Sequence, residues 1–345
     1  MGSGVNAAEA LVRALREPES VAGLDAAGWQ AVIGAARAEQ LIGTLAYRLD
    51  GLPVPGSVRA ILGDAAASAE QGRVAALWEA EMVRRALGGV GCPVVLLKGT
   101  AYVAAGLAAG RGRLIGDCDV LVPRETLPEV ERALLASGWE WVKSDPYDDL
   151  YYRAWMHELP PLIHRERDRM LDVHHTILPL TARVKPDAAA LIEDARPFGN
   201  GLSVLAPADM ICHAAAHLMV DGDLSGGLRN LWDIHCLIEE FGTDGLEPGA
   251  ERHGLAGAVR RAARQATALF GTDIPESWRV WDSADPLFRR RLLARDGWGR
   301  DTRPATRFGV YLRSHWLRMP PAMLTRHLWT KWRRQSRSRA GTSSA

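Results

Sequence analysis

The acidic residues best placed to do chemistry are Asp117 and Asp119, which flank Cys118 at the start of the apolar run DCDVLV. Side chains two residues apart on a strand point to the same face and lie about 6–7 Å apart along the chain. Two unpaired carboxylates this close repel each other and favour a bound cation. Their hard oxygen ligands favour Mg²⁺ or Mn²⁺ over zinc, so the D-x-D motif predicts such a site. The alternative is two solvated acids at a strand end.

A second candidate group is Lys98-Gly99-Thr100, between a predicted strand and a predicted helix. Glycine allows a phosphate to approach the backbone closely, and free N–H groups at a helix start bind anions. Lys98 adds positive charge, while Thr100 adds a hydroxyl donor and a predicted N-cap. The segment therefore predicts a phosphate-binding turn, with an ordinary tight turn as the alternative. It does not match the G-x-x-x-x-G-K-[ST] spacing of a P-loop.

Arg113 lies four residues before Asp117. A guanidinium group can bind phosphate oxygens through two parallel hydrogen bonds, so Arg113 is a candidate ligand for a triphosphate. The alternative is an ion pair with Asp117 or Asp119.

Asp172 occupies the middle of the apolar strand sequence Leu171-Asp172-Val173-His174. An acid in such a strand is costly unless it is paired or binds a metal. Alternation places His174 on the same face as Asp172. If this strand lies beside residues 117–122, Asp172 joins the D-x-D pair as a third metal ligand. The alternative is a buried Asp–Arg pair.

Weaker candidates occur in the helical C-terminal part. His213 and His217 are four residues apart, which places them on one helix face, and Arg229 precedes Asp233 by the same spacing. Together with His174, the two histidines and Arg229 are predicted to line an acceptor pocket. The alternatives are a second metal site or hydrogen bonding between helices for the histidines, and an intrahelical ion pair for Arg229.

The elements that must position these residues follow from periodicity and from Gly and Pro signals. Apolar spacing such as Trp29, Val32, Ile33 and Ala36 predicts helices over residues 5–90, with a loop at 51–57. The predicted strands span 92–98, 117–122, 139–143, 150–155, 161–165 and 170–177, with a hairpin turn at 165–169. The predicted helices that follow residue 90 span 100–109, 125–138, 186–195, 207–220, 227–240, 254–270, 284–295 and 320–334.

This layout predicts an α+β fold in which a small mixed sheet is flanked by two helical subdomains. The predicted boundaries are 1–90 for the N-terminal helical subdomain, 91–205 for the α/β core and 206–334 for the C-terminal helical subdomain. Residues 335–345 are predicted to be a disordered basic tail.

Composition excludes several classes of protein. The chain has 345 residues, of which 47% are hydrophobic and 24% charged, which argues against disorder, collagen-like repeats and a coiled-coil rod. The net charge of +1 conceals an asymmetry, because residues 302–345 carry ten Lys and Arg and no acid. The preceding residues carry 32 basic and 41 acidic side chains. A general nucleic-acid binder is therefore not expected, and only the basic end leaves contact with nucleic acid, an anionic membrane or an acidic face of the same protein open.

Four cysteines without a C-x-x-C pair predict neither a disulfide framework nor a zinc knuckle. The sequence leads us to expect neither a signal peptide nor a membrane-spanning segment, since acids occur early and no apolar run approaches 18 residues. We therefore expect a cytoplasmic location.

Three separated motifs carry a family resemblance. The segments LLKGTAY (96–102), RLIGDCDVLV (113–122) and LDVH (171–174) resemble the uncharacterised nucleotidyltransferase family of the DNA polymerase β-like superfamily. The resemblance covers about 94–176, and the later HxxxH and LWDIH segments echo it. It implies a nucleotidyltransferase sheet in which Asp117 and Asp119 bind catalytic metal and Asp172 is the third carboxylate. It also implies that Gly99-Thr100 replaces the superfamily's Gly-Ser phosphate turn.

The chain departs from the superfamily pattern in one important respect. Seventeen residues separate Gly99 from Asp117, where the superfamily usually places the glycine turn close to the D-x-D motif. The predicted function is Mg²⁺-dependent transfer of a nucleotide from an NTP such as ATP to an acceptor hydroxyl or phosphate, with release of pyrophosphate. The predicted acceptor is a small molecule, glycan, peptide or protein. The alternatives are a catalytically degenerate binding or regulatory module and, further from the pattern, a D-x-D glycosyltransferase.

Overall fold

The structure is a computed structural model that describes residues 6–143, 146–280 and 282–320, with the backbone alone for 146–148. It contains one sheet and many helices, as predicted for an α+β protein. The α-helices of the described residues are α1 (Ala7–Arg16), α2 (Ala26–Ala38), α3 (Ile42–Arg48), α4 (Gly56–Leu87), α5 (Lys98–Ala104), α6 (Leu127–Ala136), α7 (Pro146–Trp155), α8 (Ala188–Glu193), α9 (Pro207–Ala216), α10 (Gly227–Phe241), α11 (Leu246–Arg252), α12 (Ala256–Phe270), α13 (Asp285–Leu292) and α14 (Pro304–Arg318).

The sheet has seven strands in the described residues and mixes parallel with antiparallel pairs. They are β1 (Val94–Leu96), β2 (Asp117–Leu121), β3 (Trp139–Trp141), β4 (Leu162–His164), β5 (Met170–His174), β6 (Arg196–Pro197) and β7 (Leu202–Val204). Their spatial order is β3-β4-β5-β2-β1-β7-β6. Strand β2 is parallel to β5 and antiparallel to β1, and β1 is parallel to β7.

The central strands β2 and β5 are held by apolar residues on their buried faces. Val120, Leu121, Leu171 and Val173 are buried, as expected for β-branched and aliphatic residues in the middle of a sheet. The 32-residue helix α4 packs against β2, α5 and α6. This packing fixes the strands, and the acids at positions 117, 119 and 172 are carried on them.

Helices α9, α10 and α12 pack against one another beyond the sheet. A continuous hydrophobic core runs through the N-terminal helices, the sheet and these C-terminal helices. The four cysteines are free thiols, and no helix of the described residues is long and apolar enough to cross a membrane. The subdomain boundaries at residues 90 and 205 stay a prediction.

The loop between α5 and β2 lies against α3. Gly112 has a φ of +66°, and a Cβ atom added there would lie 2.3 Å from the Gly43 carbonyl oxygen. A side chain at position 112 therefore has neither the backbone conformation nor the space it needs. The close approach of these two glycines fixes the loop that carries Arg113.

Several secondary-structure predictions were wrong. Residues 150–155 belong to α7 instead of a strand: Arg153 bonds Asp149 one turn earlier at 2.8 Å, a pairing that a strand could not make. Thr100 is not an N-cap, because α5 begins at Lys98 and the cap position is Leu97. Helices α11 and α14 were not predicted. Beyond residue 320, the predicted helix 320–334 and the predicted tail 335–345 lie outside the described residues.

Candidate active site

Three carboxylates meet on the paired strands β2 and β5. The parallel register places Asp119 directly opposite Asp172, and Asp117 lies two residues earlier on β2. One carboxylate oxygen from each of the three residues lies within 4.8 Å of the others. Asp117 is exposed, Asp119 is buried and Asp172 is intermediate. The cluster therefore opens to solvent at the beginning of β2.

The Asp172 carboxylate lies in surroundings that disfavour its negative charge. Its buried Oδ1 atom has no hydrogen-bond partner. Burial, the Asp119 carboxylate and the Glu158 carboxylate raise the pKa of Asp172 to about 7. Burial and Asp119 also raise the pKa of Asp117. A divalent cation with hard character fits this set of oxygen ligands, since it would partner the orphaned oxygen and offset the repulsion.

Asp119 differs from its two neighbours because it already has cationic and donor partners. The Lys98 ammonium group donates to Asp119 Oδ1 at 2.6 Å, and His174 Nε2 lies 2.9 Å from the same oxygen. Burial alone would raise the pKa of Asp119, but Lys98 and His174 outweigh it and hold that pKa well below its ordinary value. The Asp119 carboxylate is therefore ionised and fixed in orientation.

The predicted phosphate-binding turn has an unusual backbone. Lys98 adopts a left-handed φ of +48°, which is rare for a residue with a side chain and is often found at functional sites. Gly99 lines the same pocket as the three acids, and a Cβ atom there would lie 2.7 Å from Arg113 Nε. Thr100 is buried, and its hydroxyl donates to the Asp117 carbonyl at 3.3 Å. Its observed contact is therefore with the strand that carries the D-x-D motif.

Arg113 binds neither Asp117 nor Asp119. It forms an ion pair with Asp233 of α10, and its guanidinium lies 5.6 Å from the centre of the Tyr102 ring. Arg229 forms the expected intrahelical ion pair with Asp233 and donates to Thr44 Oγ1 at 2.6 Å. Two arginines thus share one carboxylate, and the network joins α3, α10 and the loop before β2.

These groups surround one pocket of ≈ 550 Å³. This volume lies within the range of small-molecule sites in proteins. The predicted site residues among its lining residues are Lys98, Gly99, Arg113, Asp117, Asp119, Asp172, His217 and Arg229. The lining also includes Gln40, Ser225 and Asn230, which the sequence did not single out. Gln40 comes from the turn between α2 and α3, Ser225 from the turn before α10 and Asn230 from α10 itself, so only the fold brings them to the acids.

The three predicted histidines have different surroundings. His217 lines the pocket, and its Nδ1 lies 3.9 Å from Asp221 Oδ2. His213 is buried one turn earlier on α9, where burial and Lys98 lower its pKa well below the ordinary value. His174 is buried behind Asp119, between that carboxylate and Glu158. Neither His213 nor His174 is among the residues that line the pocket.

The sequence reasoning missed His157 and Glu158. Glu158 Oε2 lies 3.4 Å from His174 Nδ1, and the His157 ring stacks on the His174 ring. The only sequence signal is the dipeptide His-Glu after an aromatic segment, at positions that the sequence analysis assigned to no site. Their proximity to β5 is a tertiary feature that local spacing does not reveal.

The comparisons with known proteins agree with the geometry. A family model described as "Uncharacterised nucleotidyltransferase" matches residues 25–271, which include every carboxylate and basic residue of the pocket described above. A comparison with curated proteins finds no match. Because the family model covers more than half of the chain, the protein belongs to the uncharacterised nucleotidyltransferase family.

Proposed function

We propose that this protein is a Mg²⁺- or Mn²⁺-dependent nucleotidyltransferase that moves a nucleotide from an NTP to an acceptor hydroxyl or phosphate. The observation that carries the proposal is the carboxylate cluster on β2 and β5, with its orphaned Asp172 oxygen, in a pocket that also contains Lys98, Arg113 and Arg229. Acidic and basic groups in one pocket suit a substrate that arrives as a metal–phosphate complex.

Asp117, Asp119 and Asp172 would hold the metal. When bound, Mg²⁺ would act as a Lewis acid toward the phosphate oxygens and offset the charge of the leaving pyrophosphate. Lys98 fixes Asp119 through their 2.6 Å contact and supplies positive charge at the base of the pocket. Among the other residues that line the pocket, Arg113 and Arg229 add positive charge for the triphosphate, and Gly99 lets the Arg113 side chain lie close to the backbone of the turn.

The transfer step exchanges one phosphorus–oxygen bond for another. The acceptor oxygen forms a bond to the α-phosphorus while the bond from that phosphorus to the pyrophosphate oxygen breaks. For a hydroxyl acceptor, the displaced proton goes to the Asp172 carboxylate, which can also align the acceptor.

The test is a transfer assay with the full chain. The protein is incubated with Mg²⁺, each α-³²P-labelled NTP in turn and a cell extract as the source of acceptors, and both label transfer and pyrophosphate are measured. We expect transfer with one equivalent of pyrophosphate, and its loss in Asp117→Asn. Asp64→Asn is the matched control, because Asp64 is an exposed acid on α4 that does not line the pocket.

The same assay separates the alternatives. Binding of a Mg–NTP complex without turnover would support a degenerate binding module instead of an enzyme. Transfer from a nucleotide sugar, with no transfer from any NTP, would support the glycosyltransferase. If Asp117→Asn transfers at the wild-type rate, the assignment of the metal site is wrong.

A further inference from the structure

A second group of potential metal ligands lies on the inner side of Asp119, outside the pocket described above. It consists of His157, Glu158 and His174, each of which offers one ligand atom within 4.8 Å of the others. The group contains two imidazoles and one carboxylate, whereas the cluster in the pocket is entirely carboxylate. Nitrogen-rich ligand sets favour transition metals, so the two groups differ in the ions that they prefer.

The backbone holds the three residues in place. Glu158 lies opposite His174 in an antiparallel bridge to the end of β5. On either side of this bridge, the His175 N–H donates to the His157 carbonyl and the Leu159 N–H donates to the Val173 carbonyl, both at 2.9 Å. These contacts fix the backbone of His157 and Glu158 beside that of His174.

His174 lies between two carboxylates. Its Nε2 atom is 2.9 Å from Asp119 Oδ1, and its Nδ1 atom is 3.4 Å from Glu158 Oε2. The Nδ1 atom is buried and forms no hydrogen bond. A metal ion bound between His174 Nδ1 and Glu158 Oε2 would give this buried nitrogen a partner.

His157 completes the group from a third direction. Its ring stacks on His174, with centroids 5.2 Å apart, and its Nε2 lies 3.8 Å from Glu158 Oε2. Its Nδ1 atom is buried without a hydrogen-bond partner. Burial lowers the pKa of His157 well below its ordinary value, which favours the neutral ring that binds metals.

We propose that His157, Glu158 and His174 form a transition-metal site of the Zn²⁺ class, separate from the carboxylate site for Mg²⁺ and beyond the proposed transfer activity. Three protein ligands of the type His₂Glu are a known zinc set that leaves a fourth position open. Asp119 acts as the outer partner of His174, since a carboxylate that accepts from the second ring nitrogen orients a metal-binding histidine. One residue, Asp119, would thereby join the two metal sites.

The experiment uses the full, tag-free chain after chelator treatment, titrated with Co²⁺ and with Zn²⁺. Co²⁺ bound to nitrogen ligands gives visible absorption bands, and mass spectrometry of the desalted protein counts retained Zn²⁺. We expect one Co²⁺ per chain with such bands, displaced by one Zn²⁺. His157→Asn and Glu158→Gln should each abolish stoichiometric binding, with circular dichroism confirming that the variants fold.

Asp117→Asn is the matched control, because it alters the carboxylate site without touching the proposed second site. We expect this variant to keep the Co²⁺ bands. The proposal is overturned if the wild-type chain takes up neither ion, if both His157→Asn and Glu158→Gln bind as before, or if Asp117→Asn loses the bands. A chain that binds Co²⁺ in this way but transfers no nucleotide would contradict the proposed function alone, so the two failures can be told apart.

Discussion

The pocket has a strand side, formed by β2 and β5, and a helical side, formed by α3, α10 and the loop before β2. The two sides differ in how the charges of their side chains are compensated. On the strand side, Asp117 and Asp172 have raised pKa values, and Asp172 keeps an oxygen without a partner. On the helical side, Arg113 and Arg229 both bind Asp233, and Arg229 also binds Thr44. On the strand side, Asp117 and Asp172 form no ion pair within the described residues, whereas the two guanidinium groups of the helical side share one carboxylate and keep one positive charge between them. We infer that the strand side binds the metal, and that the helical side holds the pocket in shape while it retains positive charge for the triphosphate.

Asp117→Asn is expected to have the largest effect: it should lower the transfer rate strongly and leave the free energy of unfolding nearly unchanged. Removal of one metal ligand should lower the transfer rate by about 10³-fold or more, since a catalytic metal contributes several kcal/mol to stabilising the transition state. Because Asp117 is exposed, the free energy of unfolding should change little. Transfer assays and urea unfolding of the same preparation measure both quantities. If Asp117→Asn loses activity only because it unfolds, the inference that Asp117 binds a ligand and does not stabilise the fold is wrong.

Asp233→Asn should show the opposite behaviour. It leaves the buried guanidinium groups of Arg113 and Arg229 without their shared carboxylate, and removal of one partner from a buried ion pair costs about 3–5 kcal/mol. Asp233 is only 3% exposed at its side chain, so solvent cannot replace the lost contacts. Urea unfolding should show this loss. The control is Glu70→Gln, which breaks the exposed pair with Arg73 on α4 and should change the unfolding midpoint little.

If Asp233→Asn unfolds like the wild type, the helical side is not the structural support that we infer. If it unfolds normally but also loses NTP binding, Arg113 and Arg229 act mainly on the substrate. The first result would remove the structural role of this network, and the second would make substrate binding its main role.

Thr44→Val removes a single hydrogen bond from the same network, the one between Arg229 and the Thr44 hydroxyl. The Thr44 hydroxyl accepts from Arg229 at 2.6 Å in a buried environment, and a hydrogen bond to a charged group contributes about 1.5–3 kcal/mol. Valine has a similar shape, so the change mainly removes the oxygen. We expect a loss of unfolding free energy within this range, below that of Asp233→Asn. A loss equal to that of Asp233→Asn would show that Thr44 is as central as the carboxylate.

The sequence predicted the strand side better than the helical side. The alternation in DCDVLV and LDVH placed the acids on strand faces, and the parallel pairing of β2 with β5 brought Asp119 opposite Asp172. This worked because strand periodicity is local and both motifs lie on short apolar runs. The roles of these acids and of the basic residues around them stay predictions that the proposed assays test.

The helical side depends on contacts that periodicity does not contain. Arg113 and Asp233 are 120 residues apart, so spacing near Asp117 suggested the wrong partner for Arg113. Local preference also failed at residues 150–155, where aromatic residues typical of strands occur in α7. Strands β6 and β7 were not predicted, and β6 has only two residues, one of which is a proline that argues against a strand. Of the network on the helical side, the sequence predicted only the Arg229–Asp233 pair, and the contacts of Arg113 and Thr44 required the folded structure.

The smallest predicted effect concerns pH on the strand side. Burial, Asp119 and Glu158 raise the pKa of Asp172 to about 7, so this carboxyl is still protonated at pH 6 and ionised at pH 8. A protonated carboxyl does not bind a metal, so protons and Mg²⁺ compete for Asp172. Apparent Mg²⁺ affinity should therefore fall about tenfold from pH 8 to pH 6, as expected for one group with a pKa near 7. Calorimetric Mg²⁺ titrations at the two pH values measure the change.

Asp172→Asn is the control, and it should bind Mg²⁺ more weakly at both pH values, with most of the pH dependence gone. If the pH dependence is unchanged in Asp172→Asn, protons and Mg²⁺ compete for a different group. Asp172 is then not a ligand of the metal.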